Sequence, residues 1–235
     1  MSQALQNANY PVSGSIKVSN IFPGDYGACD EGSFYTASLA ATASTAVATT
    51  TQALGKTNPV LAIINPYPVG GPGSFNMYLR YVKLVMSVVS GTSTFIAHVG
   101  TLDNVNPKLS TVGTVFGVGP NNTNSNSGTT SRASLYGGVN IAVGDTSQGR
   151  TVHTGFVTNG LPVAFDTYTL AFGEPVTAMN LIGTMTLVKL ITIPVPPVII
   201  APGWTYTLGL WGTGTAASAA TYYMDVGWIE RPQGQ

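Results

Sequence analysis

The chain has 235 residues, with nine Lys plus Arg against nine Asp plus Glu, and only 8% of it is charged while 44% is hydrophobic. Soluble domains ordinarily carry about 25% charged residues, so Thr, Ser, Asn and Gly occupy the places that charge has left. Enough apolar residues remain for a packed core, which argues against global disorder, and the zero net charge offers no basic surplus, which argues against direct contact with nucleic acid.

The length suits one all-β domain or two small ones. Cys29 is the single cysteine, so neither an intramolecular disulfide nor a cysteine-based zinc site is available, and it reads as a buried or incidental thiol. The first residues lack the basic start and apolar stretch of a signal peptide. The most apolar segment, residues 194–202, falls far short of the roughly 18 residues of a spanning helix. Synthesis in a cytoplasm is expected, a host's included, and no membrane partner.

Residues 12–18 are the first predicted strand. Residues 36–54 are rich in Ala and Thr without an amphipathic period and read as an extended arm or loop, with a short helix as the alternative. Residues 1–57 are grouped as an N-terminal arm with the first strand or strands, and residues 58–235 as a β-sandwich domain. The apolar run 59–65 (PVLAIIN) predicts a strand that stops at Pro66-Tyr67-Pro68, before a Pro/Gly loop.

Phe75–Val89 predicts a long strand. Phe75, Met77, Leu79 and Tyr81 alternate with polar neighbours, after which the apolar set moves to Val82, Leu84, Met86 and Val88. That phase change predicts a β-bulge or burial on both faces. Residues 94–99 are expected to fold back on this strand as a hairpin. Residues 117–132 (GVGPNNTNSNSGTTSR) have no apolar anchor after Val118 and predict an exposed, mobile loop. Further strands are predicted at 139–143, 151–157, 167–172 and 183–193. In the last third, Trp204, Tyr206, Leu208 and Leu210 fall on one face, as do Tyr222, Met224, Val226 and Trp228, which predicts a strand pair with an aromatic inner face. About eight to ten strands with Gly/Pro turns and no crossover helices predict an antiparallel β-sandwich.

Motifs for chemistry are sparse. Gly55-Lys56-Thr57 resembles the end of a phosphate-binding loop, but the required glycine five positions before Gly55 is Thr50. Gly70-Gly71-Pro72-Gly73 lacks the dinucleotide fingerprint, and no serine sits in a G-x-S-x-G elbow. His98, with Asp103 five residues on, and His153 share no metal-binding spacing, so each reads as a strand histidine hydrogen-bonded in place. No spacing singles out a carboxylate pair for hydrolysis; Asp103 and Asp166 are the named candidates. Asp30 and Glu31 read as a solvated loop, and Asp225 as outward-facing. No catalytic, cofactor-binding or metal-ligating residue is therefore expected. Trp204 and Trp228 share the phase of core neighbours. Trp211 is out of phase and is the candidate surface-binding residue, as part of a sugar or base platform.

One pattern extends over residues 58–230. The strand Leu61-Ala62-Ile63-Ile64 breaks at Asn65-Pro66, and a Gly-rich turn leads to a long strand ending in Ser90-Gly91-Thr92. Later a Pro-rich run (ITIPVPPVIIAPG) opens an alternating strand, and a small-residue loop precedes a final strand ending in Trp228-Ile229-Glu230. This arrangement resembles the jelly-roll structural proteins of bacteriophage virions, of the capsid decoration or cement type. The resemblance implies a jelly-roll-like fold with an extended N-terminal arm reaching neighbouring subunits. It implies a non-enzymatic virion protein that forms a homotrimer or other symmetric homo-oligomer, contacts the major capsid protein or other virion proteins, and needs no cofactor. A shell-forming capsid subunit and a fibre or tail module that binds a carbohydrate receptor are the alternatives, with a β-sandwich hydrolase third. A near-neutral surface favours association, and an oligomer would cover sheet edges that are otherwise open to aggregation.

Overall fold

Every second side chain of a strand points to the same face, and that alternation builds the core of this molecule. The computed structural model describes residues 24–39, 45–46, 59–70, 73–89, 95–103, 109–111, 114–116, 118–138, 140–141, 150–156, 163–173, 190–213 and 220–233. Within them lie one helix, α1 (Gly24–Asp30), and the strands β1 (Phe34–Ser38), β2 (Thr45–Ala46), β3 (Leu61–Ile64), β4 (Phe75–Val89), β5 (Phe95–Asp103), β6 (Leu109–Thr111), β7 (Thr114–Val115), β8 (Val118–Asn122), β9 (Ser134–Gly137), β10 (Asn140–Ile141), β11 (Arg150–Phe156), β12 (Thr167–Phe172), β13 (Leu190–Val195), β14 (Ile199–Ile200), β15 (Thr205–Thr213) and β16 (Ala220–Pro232).

Two sheets pack face to face as a β-sandwich. The first has the order β13-β12-β4-β16-β1-β8, with β14 also on β4 and β2 on β16; the second has the order β11-β5-β15-β3-β9-β7; β6 and β10 form a separate pair. Pairing is antiparallel except between β12 and β13. The topology is jelly-roll-like: β4 pairs with β12 and β16 in one sheet, while β5 pairs with β11 and β15 in the other. The chain thus changes sheets from β3 to β4, β4 to β5, β11 to β12, β14 to β15 and β15 to β16.

One continuous core fills the space between the sheets. Tyr222, Met224, Val226 and Trp228 of β16 meet Tyr206, Leu208 and Leu210 of β15, joined by Leu61, Ile63, Leu84 and Tyr168. The phase change in β4 is a slip of register. Tyr81 pairs with Gly227 but Leu79 pairs with Trp228, leaving Arg80 as the extra residue. Met77 and Leu79 before the slip and Val82, Leu84 and Met86 after it all reach the same core. Gly227 is required opposite, because a Cβ there would stand 2.2 Å from Cε1 of Tyr81.

Several expectations change. Residues 95–103 do not fold back on β4 as a hairpin, since both neighbours of β4 are already supplied by β12 with β14 and by β16, and β5 lies in the opposite sheet. β15 and β16 share the predicted aromatic phase but do not pair. They face each other across the sandwich, where both apolar rows are buried at once. Of residues 36–54, Thr36–Ser38 complete β1 between β16 and β8, and Thr45–Ala46 add to β16. Residues 1–23, 40–44 and 47–57 of the predicted arm, with the strand at 12–18 and Gly55-Lys56-Thr57 among them, lie outside the described residues. Residues 118–122 form β8, and the loop after it is exposed but tied down by hydrogen bonds, as shown below. α1 was not foreseen. It is too short to hold alone, and it is fixed by Ala28 packing with Phe34 and Ile229 and by the Asp25–Arg80 ion pair at 2.8 Å.

Asn65 locks the end of β3 to both sheets. Its fully buried Nδ2 donates to the carbonyls of Phe75 (2.9 Å) and Ile200 (2.8 Å), and its Oδ1 accepts the Tyr67 amide (3.1 Å). Asn65→Ala would leave these buried groups unpaired and should lower the unfolding free energy by about 2 kcal/mol in urea titrations.

Candidate functional site

A cleft of about 810 Å³ opens at the end of the sandwich where Asn65 lies. Its walls are the loop after β3, the turn between α1 and β1, the loop between β8 and β9, and the end of β16. Glu230 stands at its base because it continues the inward phase of Tyr222, Met224, Val226 and Trp228. Strand periodicity therefore carries a carboxylate to the margin of the core, where it is only 4% exposed. A buried carboxylate needs donors, and three converge on it: the Tyr67 hydroxyl at 2.6 Å, Trp228 Nε1 at 3.0 Å and the Ser131 hydroxyl in a short bond. Burial, reinforced by the bond to Glu230 and its charge, pushes the Tyr67 hydroxyl well above the usual phenol range and keeps it a donor.

The polar loop forms the opposite wall. Asn122 Nδ2 donates to the carbonyl of Gly32 (2.7 Å) and to the Thr129 hydroxyl (2.8 Å). The Asn122 and Asn124 side chains accept the amides two residues on, each at 2.9 Å, in the manner of Asx turns. The Tyr35 hydroxyl donates to Thr129 Oγ1 at 3.1 Å, while its ring stacks on Trp228. Gly32 has a φ of +68°, and a Cβ there would stand 2.3 Å from Ser127 Oγ, so glycine is needed where the turn meets the loop. Arg132, exposed, lies over the Tyr67 ring at 5.9 Å, and Tyr67 in turn packs on half-buried Phe75 at 5.0 Å. Arg231 pairs with Glu31 across the rim at 3.6 Å.

The two histidines, read separately from sequence, are partners in the structure. His98 on β5 lies opposite Gly155, and His153 on β11 lies opposite Gly100. A Cβ at Gly100 would stand 2.0 Å from His153 Nε2, and one at Gly155 would stand 2.8 Å from His98 Nε2, so each ring occupies the space its opposing glycine leaves. Their Nδ1 atoms are 3.2 Å apart, and His153 Nε2 is 2.9 Å from the Tyr206 hydroxyl. Phe172 meets His153 edge-on at 5.7 Å. Burial lowers both imidazoles to about 4, His153 being lowered further by His98.

Other predicted residues scatter. Asp103 lies five strand positions beyond His98, on the opposite face and roughly 16 Å along β5, so the two do not act together. Asp103 pairs with Thr205 at the Asn65 end, whereas Asp166 lies beside Met86 towards the far end of β4. They do not form a carboxylate pair. Buried Asp166 accepts the Val163 amide (2.8 Å) and the Tyr168 hydroxyl (3.0 Å). Asp30 and Glu31 are exposed, and Asp225 pairs with Lys83 at 3.4 Å. Half-buried Cys29 accepts the Thr123 hydroxyl at 3.2 Å. Trp228 is core, while Trp204 is partly buried under Arg150 at 4.7 Å. The Trp211 backbone is in β15, and its side chain lies outside the described residues. Among the described residues no group of three or more His, Cys, Asp or Glu could hold a metal ion, and no helix is long and apolar enough to cross a membrane.

The fold and cleft together define an all-β sandwich with a hydrogen-bonded polar cleft at one end. No protein-family model, curated protein or solved structure matches the chain.

Proposed function

We propose that this chain is a structural, non-enzymatic protein of a virus particle, of the capsid decoration or cement type, which works as a symmetric homo-oligomer against the major capsid protein. The reading is supported by an exposed apolar corner at the β12–β13 edge. Phe165 is 62% exposed at a φ of +71°, Val163 is 45% exposed, and Leu190, which opens β13 opposite Thr167, is 67% exposed. A non-glycine residue in the left-handed region is strained by about 1–2 kcal/mol. Here the strain is maintained by backbone bonds between Phe165, Asp166 and Met86, and it aims an aromatic ring at solvent. An apolar ring held outward at such an expense fits a contact surface. β13 is the edge of its sheet among the described residues, and its Pro194 removes one donor from that edge. A surface with few charges suits the same role.

The test is a density gradient of particles from the native source, with copy counting of this chain. Shell-level copy numbers are expected; a handful of copies per particle would favour a fibre or tail part, and absence from every particle fraction would overturn the proposal. Phe165→Asn should raise the unfolding free energy by about 0.5–1 kcal/mol, because Asn tolerates the left-handed conformation, while weakening self-association in sedimentation equilibrium.

A further inference from the structure

The cleft at Glu230 makes a second role available. Four charged residues line it, and three are accounted for: Glu31 and Arg231 pair with each other, and Glu230 is held by three donors. Arg132 is left. Its guanidinium rests on Tyr67, is exposed, and has no carboxylate partner among the described residues.

The lining around it includes the Phe75 ring and the exposed Thr130. The volume is within the range of small-molecule sites. An apolar ligand would leave Arg132 and the Thr130 hydroxyl unpaired, at a penalty for each. A polyphosphate or nucleic-acid strand would need several cations, and two carboxylates stand in the same cleft. A hydroxyl-rich ligand with one negative charge per unit meets all of these groups.

We propose that this cleft binds an acidic saccharide. A sugar carboxylate sits on Arg132, which can grip it through two parallel N–H···O bonds. Ring hydroxyls bond to the exposed Thr130 hydroxyl and the rim carboxylate of Glu31, and one sugar face lies against Phe75. Trp211 has no part in this site. Its backbone position lies six residues from the Thr205 end of β15, roughly 20 Å away.

The test is calorimetry of the purified chain with galacturonate, glucuronate, mannuronate and sialylated trisaccharides, each beside its neutral counterpart. At least one carboxylated member should bind at least tenfold more tightly than its counterpart. Arg132→Gln should abolish that preference without moving the melting temperature, since the side chain is exposed. Trp211→Ala should leave the preference intact. No binding by any carboxylated member, equal binding of the neutral counterpart, or a preference that survives Arg132→Gln would each overturn the proposal. Sugar binding is read on the isolated chain, so its failure leaves the particle assignment standing.

Discussion

Acidification from pH 7 to pH 4.5 should strip roughly 5 kcal/mol from the folded state, on the order of half the stability of an ordinary domain. The cause is the pair His98–His153, whose side chains are 1% and 6% exposed as whole residues. In the unfolded chain each imidazole takes up a proton near 6.5. In the folded chain burial lowers both to about 4, and the presence of His98 lowers His153 further. Above pH 6.5 both are neutral in either state, so their full contribution is present. Between 6.5 and 4 the unfolded chain binds up to two protons that the folded chain refuses, and stability falls by as much as about 2.7 kcal/mol per pH unit. The geometry gives the same sign. Two Nδ1 atoms at 3.2 Å share one proton comfortably, with the Tyr206 hydroxyl completing His153. A second proton would set two donors against each other in an apolar surround. Urea midpoints at pH 7, 6, 5 and 4.5 measure the slope, and proton NMR of the imidazoles measures the cause. A folded-state histidine that titrates near pH 6.5 would contradict the burial on which the expectation rests.

Trp228→Ala should cost about 4 kcal/mol. The indole is fully buried, stacks on Tyr35 at 6.0 Å, and gives Glu230 one of its three hydrogen bonds. Truncation opens a large cavity between the sheets and leaves a buried carboxylate short of a donor. Trp228→Phe separates the two effects. It keeps most of the packing and removes the N–H, so a loss of about 1–2 kcal/mol is expected from the hydrogen bond to a charged group. Equilibrium denaturation of both variants beside the parent decides this. A cost for Trp228→Ala under 1 kcal/mol would mean that the indole is not the centre of the core.

Much of the sandwich was legible in the residues. The alternation in β15 and β16 pointed to their apolar rows, and the phase change in Phe75–Val89 pointed to the register slip at Arg80. Pairing was not legible in the same way. Residues 94–99 and the last two strands looked like hairpin partners because they are close in sequence, yet a sandwich buries more apolar surface by sending consecutive strands to opposite sheets. The signal for Glu230 was present and overlooked: it shares the parity of Trp228, so the pattern that assigns the tryptophan to the core assigns the carboxylate there too. Strand β8 and the hydrogen bonds that Asn122, Asn124 and Thr129 give the loop after it were not legible, because only apolar anchors were sought.

The sequence by itself determined the class. Low charge, frequent Gly and Pro, and runs of period two leave little room for anything but strands around an apolar core, because alternation is a local property of each strand; the parallel pairing of β12 with β13 was not legible there. The tertiary structure decided what meets what. That His98 finds His153 over two glycines, that Tyr67, Ser131 and Trp228 converge on Glu230, and that Asp103 and Asp166 stand far apart all depend on register between distant strands. Register is set by how both sheets bury their faces together, and no single segment carries that information.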